Sequence, residues 1–406
     1  MATVVLIGTL DTKGEEFAFV RDRLRAHGAT PLLVDAGVGE PAIPADVSND
    51  EVARAGGSSV AALTEAGDRG QAMTTMAEGA AAVVGRLHQE GRCDAVLGMG
   101  GSGGTTIATR AMRELPFGVP KLAVSTVASG DTRPYVGASD IAMLYSVVDI
   151  AGLNAVSARV LGNAAAAAAA MAGAEPPEVG GDRPLVAASM FGVTTPAVDA
   201  ARERLEELGY EVLVFHATGS GGMSLEALVR DGYVTGVLDL TTTELCDELV
   251  GGVLSAGPDR LEAAGAAGVP QVVSLGALDM VNFGPRDTVP PQFEHRNLYV
   301  HNPNVTLMRT TAEETAQLGR MVADKLNAAT GPTALFVPRA GVSLIATEGQ
   351  PFHDPEADAA LFEALHQHLD TDRVELIERD THINDPEFAV AMADALHERI
   401  RQQASA

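Results

Sequence analysis

Three short segments in the first half of the chain carry residue types suited to holding an anion. Gly8-Thr9-Leu10-Asp11-Thr12-Lys13-Gly14 stands between a strand-like run and a helical pattern. Its glycines allow close backbone approach, Thr9 and Thr12 offer hydroxyls, and Lys13 brings a cation to a helix N-terminus. The P-loop spacing Gly-x4-Gly-Lys-Ser/Thr is absent, and an ordinary first turn capped by Asp11 or Thr12 would use the same residues. The chain has only three lysines, Lys13, Lys121 and Lys325, which singles out the one between glycines. The second segment, Gly98-Met-Gly100-Gly101-Ser102-Gly103-Gly104-Thr105, follows a strand and precedes a helix. Gly98, Gly100 and Gly103 match the G-x-G-x-x-G pattern in its required context. The next strand ends Val124-Ser-Thr126 without an acid, so a ribose clamp for NAD is not expected and a phosphate cradle is. The third, Ala128-Ser129-Gly-Asp131-Thr-Arg-Pro-Tyr135, adds Ser129 and Asp131. Asp131 or Asp11 suits a Mg²⁺ held on phosphates, because hard cations take carboxylate oxygens. Turn and cap roles explain either aspartate equally well.

The second half carries its own polar clusters, each following a strand-like run. They are Phe215-His216-Ala-Thr-Gly219-Ser220-Gly221-Gly222, Asp239-Leu-Thr241-Thr242-Thr-Glu244, Gly276-Ala-Leu-Asp279-Met-Val-Asn282, and His301-Asn-Pro-Asn304 with Arg309 beyond it. Gathered at one sheet edge, they would form a pocket. His216 or His301 would carry protons, Asp279 would orient such a histidine or help hold a metal, and Glu244 would act with them on the substrate. Gly219, Ser220, Gly221, Gly222, Thr241, Thr242, Asn282 and Arg309 would hold a small, anionic substrate. The competing account makes all of these caps and turn formers. Cys246 has no CxxC neighbour and reads as a core residue. Zinc spacings, G-x-S-x-G and H-E-x-x-H are absent.

The elements that must position these groups alternate. Strand-length apolar runs occur at Thr3–Gly8, Pro31–Ala36, Asp94–Met99 and Lys121–Thr126, and again at Pro184–Met190, Glu211–His216, Gly236–Leu240, Gln271–Leu275, Thr333–Val337 and Arg373–Glu378. Helical patterns separate them, which predicts parallel sheets covered on both faces. Glu175-Pro-Pro-Glu-Val-Gly-Gly-Asp-Arg-Pro184 breaks the pattern and predicts a linker. The expected fold class is therefore α/β, with two doubly wound, mostly parallel, Rossmann-like domains over 1–178 and 184–406. Both halves open strand, polar turn, helix ending in Leu-x-x-x-Gly, strand, which points to internal duplication. Two such domains would bring their loops to a shared cleft.

Composition narrows the partners. Lys plus Arg number 28 against 54 Asp plus Glu, a net charge of −26, and aromatics make up 4% with no Trp. That argues against nucleic acid and against an anionic membrane surface. Two cysteines suggest a reducing compartment, and no signal peptide is read at the N-terminus, so a cytoplasmic location is expected. The small-residue run Ala164–Ala170 is too short and too weakly apolar to span a bilayer.

Taken together, the strings Gly8-Thr-x-Asp-Thr-Lys-Gly14, Gly98-x-Gly-Gly-Ser-Gly-Gly104, Phe215-His-Ala-Thr-Gly219, Gly276-Ala-Leu-Asp-Met-Val-Asn282, His301-Asn-Pro-Asn-Val-Thr-Leu-Met-Arg309 and Pro351-Phe-His-Asp-Pro-Glu-Ala-Asp358 resemble one family over nearly the whole chain. It is the uncharacterised Tm-one-like ATP-binding family, to which the N-terminal region of a tomato mosaic virus resistance protein belongs. The resemblance implies a two-part α/β architecture, ATP bound in the first part, and a homodimer. The expected function is that of an ATP-dependent enzyme acting on a small metabolite. A nucleotide-binding regulatory module without turnover, and a hydrolase or lyase that uses no ATP, remain as alternatives.

Overall fold

A computed structural model describes residues 1–175 and 183–405. The chain divides into two compact units, Met1–Val179 and Gly180–Ala406. Most of the Glu175–Pro184 segment expected as a linker falls outside the described residues.

The first unit runs β1 (Thr3–Gly8), α1 (Leu10–Ala26), β2 (Thr30–Asp35), α2 (Asn49–Ala55), α3 (Val60–Ala66), α4 (Arg69–Gln89), β3 (Ala95–Gly100), α5 (Ser102–Met112), β4 (Lys121–Ser125), α6 (Arg133–Val136), β5 (Ala142–Tyr145) and α7 (Ala155–Ala172). All its strand pairs are parallel, in the order β2-β1-β3-β4-β5. Alternate residues of the strands feed two cores. Val4 and Leu6 join α1 and α7 through Phe17, Val20, Leu161 and Ala165, whereas Val5 and Ile7 join α2, α4 and α5 through Val52, Met76, Val84 and Ile107. Helices therefore cover both faces, as the continuous apolar strands require. The alanine run belongs to a longer helix than expected. α7 is, among the described residues, the one helix long and apolar enough to cross a membrane by length and composition, yet Leu161, Ala164, Ala165 and Ala168 pack into this core.

The second unit runs β6 (Leu185–Met190), α8 (Thr195–Glu207), β7 (Glu211–His216), α9 (Ser220–Arg230), β8 (Gly236–Thr241), α10 (Glu244–Val250), α11 (Ala263–Ala267), β9 (Gln271–Gly276), β10 (Met280–Phe283), β11 (Leu298–Asn302), β12 (Val305–Arg309), α12 (Ala312–Asn327), β13 (Thr333–Pro338), α13 (Pro355–His368), β14 (Val374–Arg379) and α14 (Pro386–Ser405). Its six-stranded sheet is parallel in the order β14-β13-β9-β8-β6-β7, and β10-β12-β11 form a separate antiparallel sheet. Counting within each parallel sheet, both follow the order 2-1-3-4-5, and the second adds one strand beyond it. This is the flavodoxin-type doubly wound order rather than the 3-2-1-4-5-6 order of dinucleotide-binding folds, so Rossmann-like describes the layering and not the strand order. A shared order is what a duplicated unit would leave, with β10–β12 as an insertion peculiar to the second copy.

In a 2-1-3-4-5 sheet the crevice lies where strand order reverses, beyond the carboxyl ends of strands 1 and 3. In the first unit those are β1 and β3, the strands that lead into the two glycine segments.

Candidate functional site: a glycine-lined crevice in the first unit

A cavity of about 860 Å³ opens at that crevice. Its floor is Thr9, Asp11, Thr12 and Lys13 from the β1–α1 turn, Gly37 and Gly39 beyond β2, and Gly100–Gly104 beyond β3. Leu63, Met73, Met76 and Ile107 make an apolar wall, and Asp68, Arg69 and Asp149 stand among the other lining residues.

The glycine segment is shorter as a loop than the sequence suggests. α5 begins at Ser102, so Ser102, Gly103 and Gly104 are its first turn. Its N-cap is Gly101, which has no side chain to satisfy these amides. The first intrahelical bond runs from the Thr105 N–H to the Gly101 carbonyl, so the preceding amides are left for another acceptor. Uncapped N–H groups beside a cavity favour an anion through both hydrogen bonding and the helix dipole.

Lys13 reaches the same cavity through a local irregularity. Its backbone (φ −130°, ψ 22°) breaks the helical path inside α1. Its ammonium has no hydrogen bond or ion pair among the described residues. The other two lysines are both tied down. Lys121 is fully buried and donates to Asp140 at 2.6 Å and to the Pro116 and Val119 carbonyls. Lys325 donates to Glu262 at 2.5 Å and to the Pro258 carbonyl.

Two aspartates cross-link the turns beneath the cavity. The Leu10 and Gly37 amides donate to Asp35 Oδ1 at 3.1 and 2.9 Å, and the Gly39 amide donates to Asp11 Oδ2 at 2.9 Å. A Cβ at Gly37 or Gly39 would come within 2.6 or 2.8 Å of the Asp11 carboxylate, so a side chain at either position would have to displace it. Asp35 is wholly buried, and burial, reinforced by the nearby Asp11 charge, raises its carboxyl above the ordinary range. Sequence reading missed Asp35. The available signal was an acid ending an apolar strand and followed by Gly-x-Gly.

Nine of the expected ligand residues line the cavity: Thr9, Asp11, Thr12, Lys13, Gly100, Gly101, Ser102, Gly103 and Gly104. Five do not. Gly8 and Gly98 lie within strands, where a Cβ would strike the Phe17 ring at 2.2 Å or Ala108 Cβ at 2.3 Å, so their glycines serve helix–strand packing. Thr105 is buried against Ser125 Oγ at 2.6 Å. Ser129 is exposed away from the cavity, and so is Asp131. Asp131 is paired bidentately with Arg133, whose hydrogen bonds pull its carboxyl down to about 2.

The second unit's candidate site is occupied by the protein's own groups. Gly219 and Gly222 donate their amides to Glu244 Oε1 at 2.7 and 3.0 Å, so the anion expected at the α9 N-terminus is already there. A Cβ on Gly222 would lie 2.1 Å from Glu244 Oε2, and one on Gly221 1.9 Å from the His216 carbonyl. Ser220 opens α9 beside them and is exposed. Arg260, wholly buried, binds the other Glu244 oxygen at 2.7 Å together with Asp239 and Glu226. Thr241 pairs with Thr194, Thr242 donates to the Ser274 carbonyl, and Asn282 donates to Asp247. Arg309 is buried on Asp358 and the Phe352 carbonyl. Asp279 accepts from Ser343 and is pushed to about 6 by burial. His216 is exposed on the edge strand β7 with its ring 5.5 Å from that of Phe191, and His301 is exposed on β11. No hydrogen bond joins either histidine to Asp279 or Glu244 among the described residues. Glu244, expected as catalytic, and Gly219, Gly222 and Arg309, expected to hold substrate, are thus engaged by the protein's own groups. Cys246 is a buried core residue as expected. Among the described residues, no group of three or more His, Cys, Asp or Glu is placed to hold a metal by itself.

Residues 2–177 match the N-terminal domain, and residues 183–400 the C-terminal domain, of an uncharacterised protein family, UPF0261. The chain belongs to the UPF0261 family. A UPF0261 protein of Clostridium tetani is 54% identical over 97% of this chain and 98% of the relative. One of Rhizobium meliloti is 48% identical over the same shares. The tomato ToMV resistance protein Tm-1 is 40% identical over 97% of this chain, which spans 55% of the tomato protein. The Tm-one-like resemblance therefore holds along the whole chain, and the two family domains coincide with the two parallel-sheet units.

Proposed function

We propose that the first unit binds ATP, as its magnesium complex, in the crevice between β1 and β3. The observation that carries this reading is Lys13, the one lysine without a partner among the described residues, beside the uncapped amides of α5. The phosphates would lie on Ser102–Gly104 and Lys13, and the base against Leu63, Met76 and Ile107. The cavity suits a ligand of that size. Magnesium would neutralise phosphate charge, while the chain's own residues orient the polyphosphate and shield it from water.

On this reading the protein is a cytoplasmic, ATP-dependent enzyme acting on a small metabolite, as a homodimer. One observation favours the second reading, a nucleotide-responsive module without turnover: the polar cluster of the second unit is engaged internally. Calorimetric titration of the whole chain with ATP, ADP and AMP tests the binding, with affinity expected to fall as phosphates are removed. Absence of binding by all three would end the nucleotide reading. Steady release of phosphate on adding candidate metabolites would decide for the enzyme, and ATP binding without release for the module.

A further inference from the structure

Two cations stand among the residues that line the crevice, Lys13 and Arg69. Arg69 is exposed and has no hydrogen bond or ion pair among the described residues. It is the first residue of α4, whose first turn holds no acid, and a helix dipole disfavours a cation at that end. Capping does not need it either, because the Asp68 side chain accepts from the Gln71 amide at 3.0 Å. Lys13 stands in the same way within the first turn of α1. A local preference overridden without a compensating contact is the mark of a functional position. Arg69, Ala72, Met73 and Met76 recur at helical spacing on one face of α4, and all four line the crevice. Met73 meets the α5 N-terminus: a Cβ added to Gly103 would lie 3.2 Å from Met73 Sδ. Arg69 is one helical turn, about 5.4 Å along the axis, from that contact with the uncapped amides. Lys13 comes from the other side. Its helix packs on one face of the sheet through Phe17 and Val20, and α4 packs on the opposite face through Met76 and Val84.

We propose that Lys13 and Arg69 form a two-cation clamp that selects a polyphosphate over a monophosphate, with Arg69 on the phosphate furthest from the base. A monophosphate held on the α5 amides meets one of the two cations, whereas a longer phosphate chain spans both. The guanidinium fork matches two phosphate oxygens, and such charge-assisted pairs are the strong ones. The proposal rests on the nucleotide reading above for where the ligand lies, and adds the residue that reads its charge.

The experiment is calorimetric titration of the whole chain, in one Mg²⁺ buffer, with ATP, with inorganic tripolyphosphate, and with AMP as a competitor of ATP. The parent is expected to bind ATP at least about tenfold more tightly than AMP, and to bind tripolyphosphate. Arg69→Gln is expected to lose about tenfold or more in affinity for ATP and tripolyphosphate, and less than about threefold for AMP. Arg69→Lys keeps the charge without the fork and should recover part of the loss. Arg159→Gln, exposed on α7 and outside the crevice, should bind all three as the parent does. Thermal melts of the Arg69 variants should match the parent, since Arg69 bonds to nothing else among the described residues. Equal losses for ATP and AMP in Arg69→Gln would place Arg69 on the base or ribose and overturn the clamp. Unchanged ATP affinity in that variant would overturn it as well, and both results leave the nucleotide reading standing. Tripolyphosphate binding that depends on Arg69, without binding of ATP or AMP, would overturn the nucleotide reading and keep the clamp. No binding of any of the three would overturn both.

Discussion

Lys13, Lys121 and Lys325 share a side chain and differ in what surrounds it. Lys121 and Lys325 hold carbonyls and a carboxylate of their own fold, so both are structural. Lys13 holds nothing among the described residues and lines a cavity. Lys13→Ala is expected to weaken ATP binding by about 1.5–3 kcal/mol, the loss of one charge-assisted bond, with little change in melting temperature. Calorimetry checks the first and a thermal melt the second; a stability loss without an affinity loss would make Lys13 structural too. Arg260 is the opposite case. Arg260→Met would leave Asp239, Glu226 and Glu244 buried together without their cation, and should destabilise the second unit by about 3–5 kcal/mol in denaturant titrations. The sequence made Lys13 conspicuous because it stands between glycines. It hid Arg260, because nothing local shows that an arginine in Gly257-Pro-Asp-Arg260 will meet acids drawn from three other segments.

Continuous apolar runs were enough to place ten of the eleven strands of the two parallel sheets to within a residue or so at most ends, because a strand buried on both faces has little choice of residue. The elements that escaped notice are short or half exposed. β5 is four residues with exposed ends, and β10–β12 sit where the turn signals Asn282 and Asn304 suggested loops. Glycine runs misled in a consistent way. Ser102–Gly104 and Ser220–Gly222 read as loops, yet each is the first turn of a helix, where small residues let another segment come close. In α5 that approach is left open to a ligand, and in α9 Glu244 fills it. Gly222→Ala therefore cannot be accommodated without moving the Glu244 carboxylate, and should cost about 1–3 kcal/mol as overpacking does. A fall in melting temperature checks this, whereas an unchanged melt would mean that Glu244 is free to shift.

Buried carboxyls set an unusual pH response for the whole protein. Burial pushes Asp247 from 3.8 to about 7 and Asp279 from 3.8 to about 6. Between those limits the unfolded chain has released protons that the fold retains. Stability from these two groups is thus complete below about pH 4, falls as pH rises through the window, and levels off above about pH 7. Melting temperatures of the parent across that range, compared with Asp247→Asn, measure the effect; the variant should flatten the upper part of the decline. The arrangement of the two units into parallel sheets was legible from periodicity. The difference between their two glycine turns was not, since it depends on which helix N-terminus the chain's own carboxylates reach.

The central claim is that the first unit's crevice, and not the glycine turn of the second unit, receives the ligand. Amide hydrogen exchange of the whole chain with and without MgATP tests it at the groups concerned. Peptides spanning Thr9–Lys13 and Gly101–Thr105 should gain protection, while Gly219–Gly222, already bonded to Glu244, should not change. Protection confined to Gly219–Gly222, or none at Gly101–Thr105 under saturating nucleotide, would contradict the account.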